Sequence, residues 1–115
     1  MMHYTPQAFG ERSEALVEAS LRERGFEIVT CNFFAKKLGE IDIVAKKEGV
    51  YHFVEVKSTQ YGSFEPLYNV TPAKLRKMIR SATYYLQKYH LDAPFSLDIA
   101  LCYGEQIEFL ENVTL

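Results

Sequence analysis

Four charged residues in two short segments have the types and spacing needed for metal chemistry. "GEID" (39–42) carries Glu40 and Asp42, and "FVEVKS" (53–58) carries Glu55 and Lys57. Residues two apart in a β-strand point to the same face, so each segment would present its two charges on one side. Carboxylates are hard oxygen ligands that suit Mg²⁺ or Mn²⁺. If the two segments are neighbouring strands, the pattern predicts a divalent-cation site.

The turn between the two segments determines whether the carboxylates meet. If Glu48 and Gly49 form a two-residue hairpin loop, Asp42 lies opposite Glu55. Opposite side chains have Cβ atoms about 4.5–5.5 Å apart, and two carboxylates that close repel by roughly 3 kcal/mol at an effective dielectric near 20. A bound divalent cation would remove that cost. A three-residue loop would shift the register by one residue and weaken this interpretation.

The alternative is a surface ion pair. In the same register Glu40 lies opposite Lys57, and the two could pair on a face that is simply solvated. However, Tyr51 and Phe53 share a face with Glu55 and Lys57, with the apolar residues toward the turn and the charges away from it. A sheet that is covered at one end and open to a cleft at the other has this pattern, so we favour the metal interpretation.

The elements that must position these residues have the predicted order α-β-β-β-α-β-β. A helix over 7–25, ending at Gly25, precedes strands over 26–34, 40–46 and 50–58. Thr71 is a typical N-cap, and Pro72 begins a second helix that reaches residue 90. Strands over 95–103 and 106–112 follow. The order indicates an α/β fold, one mixed sheet with helices packed on it.

Size and composition fit a single domain over residues 1–115. The chain has 115 residues, of which 48% are hydrophobic, so it can fill one core. A net charge of −2 argues against a protein covered in basic residues, although it permits a local basic face. The three histidines are far apart in the sequence, which argues against a zinc site. The sequence contains no Gly-rich phosphate loop and no GxSxG motif.

The sequence also predicts a cytoplasmic location. No apolar run approaches membrane-spanning length, and the N-terminal residues lack the pattern of a secretory signal. Cys31 and Cys102 have no nearby Cys or His partners in the sequence, which is typical of a reducing compartment. We expect no association with membranes.

The second helix is locally basic. Residues 74–88 include five Lys or Arg residues and no acidic residue, and the preceding loop contains Tyr61, Phe64 and Tyr68. Basic side chains bind phosphates and aromatic rings stack on unpaired bases, so the segment is a candidate nucleic-acid surface. The candidate phosphate contacts are Lys74, Lys77 and Arg80. The alternative is a solvated basic side on a helix whose apolar residues pack on the sheet.

GEID followed by FVEVKS, in this order of helices and strands, resembles the PD-(D/E)XK nuclease superfamily. Within it, the chain resembles the YraN-like family of small bacterial proteins over nearly its whole length. The similar segments include "GERSEALVEASLRERGFEIV", "CNFF", "VTPAKLRKMIRSATYYL" and "FSLDIA". The resemblance implies a restriction-endonuclease-like fold. Archaeal Holliday junction resolvases have a similar helix glutamate, Asp and E-V-K arrangement, so they are the nearest functional analogy.

The resemblance also implies roles for individual residues. Asp42 and Glu55 would bind Mg²⁺ or Mn²⁺ together with the backbone carbonyl of Val56, and Glu14 would complete the site directly or through water. Lys57 would position the attacking water and offset negative charge in the transition state. The implied catalytic residues are therefore Glu14, Asp42, Glu55 and Lys57. For Glu14, a solvated helix face that also carries other glutamates is a competing interpretation.

Four positions depart from the family pattern or stay without a role. Ile41 stands where the superfamily has the proline of its PD motif, although GEID is usual in YraN-like proteins. Ser58-Thr59 stands where that family commonly has Thr-Arg, which removes one expected phosphate contact and bears on nucleic-acid binding more than on the metal site. Asp98 in "FSLDIA" is either a partner of the metal ligands or a strand-edge charge.

The favoured function is a metal-dependent nuclease-like protein that binds nucleic acid, DNA in particular, and hydrolyses phosphodiesters, with branched or structured DNA as a substrate class. A single face of this size contacts few base pairs, so a homodimer is a further expectation. Two alternatives stay open. A non-catalytic nucleic-acid-binding module would bind without metal-dependent cleavage, and a protein-interaction adaptor would bind no DNA or RNA.

Overall fold

The computed structural model describes residues 6–59 and 71–113, with the side chains of 6–11 and 59 excluded. The elements are α1 (Pro6–Glu23), β1 (Glu27–Phe34), a short 3-10 helix (Lys36–Leu38), β2 (Glu40–Lys47), β3 (Val50–Thr59), α2 (Pro72–Lys88), β4 (Phe95–Tyr103) and β5 (Gln106–Leu110). The predicted order is confirmed, and the helices and β5 end about two residues earlier than predicted. The aromatic loop with Tyr61, Phe64 and Tyr68 lies outside the described residues.

The five strands form one mixed sheet in the order β1-β2-β3-β4-β5. Only the β3–β4 pair is parallel, and α2 makes the crossover that a parallel connection requires. The β2–β3 register runs from Lys47↔Val50 to Ile43↔Val54, which confirms the two-residue hairpin loop. Both loop residues have positive φ, 51° at Glu48 and 80° at Gly49. A two-residue hairpin turn whose twist matches that of the flanking strands requires positive φ at both positions.

The two helices pack on opposite faces of the sheet. On one face, Val17 of α1 is fully buried and packs with Ile43 and Val54. On the other, Tyr85 of α2 is buried and its ring meets the ring of Phe53 edge-on, with centroids 5.5 Å apart. The charges that share a face with Phe53 therefore lie on the α2 side.

The N-terminus of α2 is fixed as the sequence predicts. Thr71 is the N-cap, its Oγ1 accepts a hydrogen bond from the Lys74 backbone N–H at 3.2 Å, and Pro72 begins the helix. This cap fixes where α2 begins, and the first turns of the helix lie over the charged ends of β2 and β3.

None of the helices in the described ranges combines the length and the apolar character that spanning a membrane requires.

Candidate metal and phosphate site

A pocket of about 440 Å³ opens between the GEID and FVEVKS segments and the first turns of α2. We call it the carboxylate pocket, because Glu40, Asp42 and Glu55 line it. Two lysines of α2, Lys74 and Lys77, complete the charged part of its wall. The predicted cleft at the charged end of the sheet therefore exists, and the two strands and α2 build it together.

Asp42 and Glu55 directly follow the last backbone pair between β2 and β3. The ladder of backbone pairs ends at Ile43↔Val54, and the side chains of both next residues line the carboxylate pocket. The carboxylate of Asp42 crosses to the neighbouring strand, where Oδ2 accepts a hydrogen bond of 2.8 Å from the Val56 N–H. Val56 thus supports the predicted ligand through its backbone.

The environment of Asp42 destabilises its carboxylate form relative to water. Burial raises the pKa of Asp42 above its ordinary value of 3.8. The nearby carboxylates of Glu55 and Glu40 raise this pKa further, whereas the Val56 N–H and the Lys57 ammonium lower it. A bound cation would stabilise the negative charge of the Asp42 carboxylate, which this environment otherwise disfavours.

Glu55 has one oxygen in an ion pair and one that no described residue contacts by a hydrogen bond. Oε1 lies 3.0 Å from the Lys74 Nζ, and both side chains are about a quarter exposed. Oε2 is buried and accepts no hydrogen bond from residues 6–59 or 71–113. An unsatisfied buried carboxylate oxygen is costly in a native structure, and a metal ligand is one explanation for it. Lys74, predicted as a nucleic-acid contact, lies inside the carboxylate pocket against Glu55.

Lys57 lies on the same strand face as Glu55 and is close enough to Asp42 to lower the pKa of that carboxyl. Its side chain is partly buried. Within the described part of the chain, the structure contains no Glu40–Lys57 ion pair, so the surface-pair interpretation does not account for these charges.

Glu14 approaches the site through a residue that the sequence analysis did not consider. With the Asn32 amide oriented so that its nitrogen faces the carboxylates, that nitrogen donates to Glu40 Oε1 at 2.8 Å and to Glu14 Oε2 at 3.2 Å. Asn32 has a φ of 54°, a left-handed conformation that Asn adopts more readily than most residues. Asn32 therefore connects the α1 glutamate to GEID.

The donor set fits a hard divalent cation with few protein ligands. Among the described residues, no three or more His, Cys, Asp or Glu side chains are grouped to hold a metal ion. The arrangement offers two carboxylates, Asp42 and Glu55, beside backbone groups. Mg²⁺ commonly binds to one or two carboxylates and keeps several waters, so this set suits Mg²⁺ or Mn²⁺.

Asp98 has a different role from either interpretation in the sequence analysis. It pairs with Val54 in the parallel ladder, which puts it on the α1 face, opposite to Glu55. Its carboxylate is buried and accepts hydrogen bonds from Ser96 Oγ (2.5 Å), the Asn112 N–H (3.0 Å) and the His52 ring (2.7 Å). Both interpretations are wrong: Asp98 is neither a strand-edge charge nor a partner of the metal ligands, and instead joins β3, β4 and the C-terminal segment.

A second pocket, of about 350 Å³, lies beside the first on the outer side of α2. We call it the cationic pocket, and its lining consists of Lys37, Leu38, Ala73, Arg76, Lys77 and Arg80. Lys77 lines both pockets. Its stem passes Gly39, where an added Cβ would lie 3.0 Å from the Lys77 Cε, and Gly39 also has a φ of 112°. The glycine of GEID therefore allows this lysine to pass between the pockets.

The model of the Uncharacterised protein family UPF0102 matches residues 13–102. The chain belongs to the UPF0102 family. A UPF0102 protein from Sulfurovum sp. (strain NBC37-1) is 50% identical over 114 residues, which is 99% of this chain and all of that protein. A UPF0102 protein from Wolinella succinogenes is 46% identical over 109 residues, covering 95% of this chain and 98% of the relative. The predicted membership in the YraN-like family is confirmed, because UPF0102 is that family.

The solved structures include a similar fold. The structure of Archaeoglobus fulgidus Hjc, a Holliday junction resolvase from an archaeal hyperthermophile, superposes with a TM-score of 0.60 at 20% identity. The match covers 91% of this chain and 78% of that one. This UPF0102 protein therefore has the restriction-endonuclease-like nuclease fold, as predicted.

Proposed function

We propose that this UPF0102 protein binds DNA and hydrolyses phosphodiesters in a reaction that depends on Mg²⁺ or Mn²⁺. One observation carries the proposal. Asp42 and Glu55 line one pocket just beyond the last β2–β3 pair, and among the described residues the buried Glu55 Oε2 has no hydrogen-bond partner. A protein selected for stability alone would avoid this arrangement, because burial of carboxylates and repulsion between them both destabilise the folded state.

Each residue of the site would have its own role in the reaction. Asp42 and Glu55, with the backbone carbonyl of Val56, would hold the cation, which when bound acidifies water and neutralises phosphate charge. Glu14 would act on the site through the amide of Asn32 rather than by direct contact. Lys57, a compact charge on a long stem, would orient the attacking water and stabilise the developing negative charge.

Branched DNA is the substrate class that we propose. The fold is similar to that of Archaeoglobus fulgidus Hjc, a Holliday junction resolvase. A homodimer would present two such sites to the two strands of a branch, in keeping with the symmetry of most small oligomers. We propose that the protein acts on this DNA in the cytoplasm.

A non-catalytic DNA-binding module is the second candidate, and one observation favours it. The ammonium of Lys74 already pairs with Glu55 at 3.0 Å, so part of the negative charge of the pocket is balanced within the chain. A domain that retained the fold and lost the reaction would tolerate such a pair. This candidate predicts DNA binding that is the same in Mg²⁺, Mn²⁺ and EDTA, and no cleavage.

The test compares wild type with Lys57→Ala on four-way, flapped, single-stranded and duplex DNA in Mg²⁺, Mn²⁺ and EDTA. We expect single-turnover cleavage by wild type with a metal ion only. Lys57→Ala should lose most cleavage, on the order of 100-fold or more, because a group that stabilises transition-state charge typically contributes that much. Its Mn²⁺ affinity should change little, since both carboxylates remain.

Two outcomes would contradict the proposal. Highly purified wild type that binds the panel and cuts none of it would favour the binding module. Cleavage that persists undiminished in Lys57→Ala would assign the activity to another site or to a contaminant.

A further inference from the structure

Four exposed, positively charged residues line the open cationic pocket, and its described lining includes no acidic residue. Lys37 comes from the 3-10 helix, and Arg76, Lys77 and Arg80 come from successive turns of α2. Segments 35–39 and 71–88, which form this part of the surface, contain none of the 15 acidic residues of the chain. In a protein with a net charge of −2, this concentration of positive charge is a local feature of one concave surface.

The pocket is built by tertiary packing and does not arise from one helix alone. The Ser81 hydroxyl of α2 donates a hydrogen bond of 3.3 Å to the carbonyl of Leu38, which fastens the 3-10 helix to α2. Gly39 at the end of the 3-10 helix allows the Lys77 stem to lie against the backbone. These contacts hold Lys37 beside Arg76 and Arg80, although the residues are about 40 positions apart in the sequence.

Like charges held together in this way raise the free energy of the empty pocket, and an anion relieves it. Arginine offers planar pairs of N–H donors that match phosphate oxygens, and lysine offers a point charge. The pocket also shares Leu38, Ala73 and Lys77 with the carboxylate pocket, so the two are contiguous. A chain of linked phosphates is the anion that can occupy a cationic pocket and continue into an adjacent metal site.

We propose that the cationic pocket binds a backbone phosphate of DNA that neighbours the phosphodiester in the carboxylate pocket, with Lys37 and Arg76 as direct contacts. This inference rests on the DNA-binding part of the proposed function and does not need cleavage. It moves the main phosphate contact away from Lys74, which pairs with Glu55, and adds Lys37, which lies outside α2.

The experiment measures binding of a fluorescent four-way DNA junction in EDTA over a range of salt concentrations. Lys37→Ala and Arg76→Ala are compared with Lys88→Ala, which removes the same charge from the far end of α2, and with Lys37→Arg, which keeps the charge. We expect Lys37→Ala and Arg76→Ala each to weaken binding about five-fold and to reduce the slope of log K against log salt by about 1. Lys88→Ala and Lys37→Arg should match wild type within about two-fold, and melts should show that all variants fold.

A parallel arm replaces DNA with inorganic phosphate and follows the thermal midpoint. If phosphate stabilises wild type through the pocket while DNA binding is independent of Lys37 and Arg76, the ligand is a free anion and the inference is wrong. If both pocket variants bind the junction as tightly as Lys88→Ala does, the inference fails while DNA binding stands. If wild type binds no DNA, the inference and the DNA-binding proposal fall together. If DNA binding depends on Lys37 and Arg76 but the protein cuts no DNA in the presence of Mg²⁺ or Mn²⁺, the inference stands and only the proposed nuclease activity is refuted.

Discussion

Replacing Lys74 by alanine should tighten metal binding. Lys74 Nζ lies 3.0 Å from Glu55 Oε1, so a cation that uses the Glu55 carboxylate must displace or share this ammonium. A hydrogen bond to a charged group contributes about 1.5–3 kcal/mol, whereas exposed ion pairs contribute about 0.2–1 kcal/mol. The two side chains are 28% and 27% exposed, so the pair is neither fully buried nor fully exposed. After allowance for solvent screening, we take its contribution as about 1 kcal/mol. That is about a five-fold gain in affinity.

Isothermal titration of Mn²⁺ into the metal-free protein measures the effect directly. Arg76→Ala is the matched control, because it removes the same charge two residues away, where the residue is exposed and lines the other pocket. At 0.15 M salt, where screening acts over about 8 Å, the control should change Mn²⁺ affinity by less than about two-fold. Without metal, Lys74→Ala should unfold about 1 kcal/mol more easily, because Glu55 then loses its partner.

The opposite result would refute the reasoning. If Lys74→Ala binds Mn²⁺ no more tightly than wild type does, Lys74 does not compete with the cation for Glu55. If Arg76→Ala shows the same gain as Lys74→Ala, the effect comes from net charge alone and carries no information about the ion pair.

Three further predictions follow from individual side chains. Asp42→Asn should leave the metal-free protein at least as stable near neutral pH, because a carboxyl whose pKa is raised above 3.8 on folding stabilises the fold only at acid pH, and this stabilisation is lost as the pH rises through the raised pKa. The variant should also lose the Mn²⁺-induced rise in Tm, and an equal rise in both proteins would argue against the site. Burial, followed by Glu18, raises the pKa of Cys31 to about 11, so alkylation by iodoacetamide should have its midpoint near that pH and Glu18→Gln should lower it; a wild-type midpoint near 9.0 would contradict this. Asp98→Ala should destabilise the fold by about 3 kcal/mol in denaturant melts, because three donors lose a buried acceptor, and a loss below about 1 kcal/mol would show that water replaces it.

The sequence alone determined the features that depend on neighbouring residues. The order of elements follows from hydrophobic periodicity, and the start of α2 follows from Thr71 and Pro72, whose cap geometry is local. The hairpin register follows from the two-residue loop at Glu48 and Gly49, which sets the pairing from Lys47↔Val50 to Ile43↔Val54. Local rules were sufficient for all of these.

Only the tertiary structure decided which distant side chains meet. The Lys74–Glu55 ion pair depends on how α2 lies on the sheet, and a basic helix read by itself gives no indication of which lysine turns inward. Lys37 joins Arg76 because the Ser81–Leu38 hydrogen bond fixes the 3-10 helix on α2. Such contacts join residues far apart in the sequence, and their geometry is set by the packing of whole elements, which no short segment of the sequence specifies.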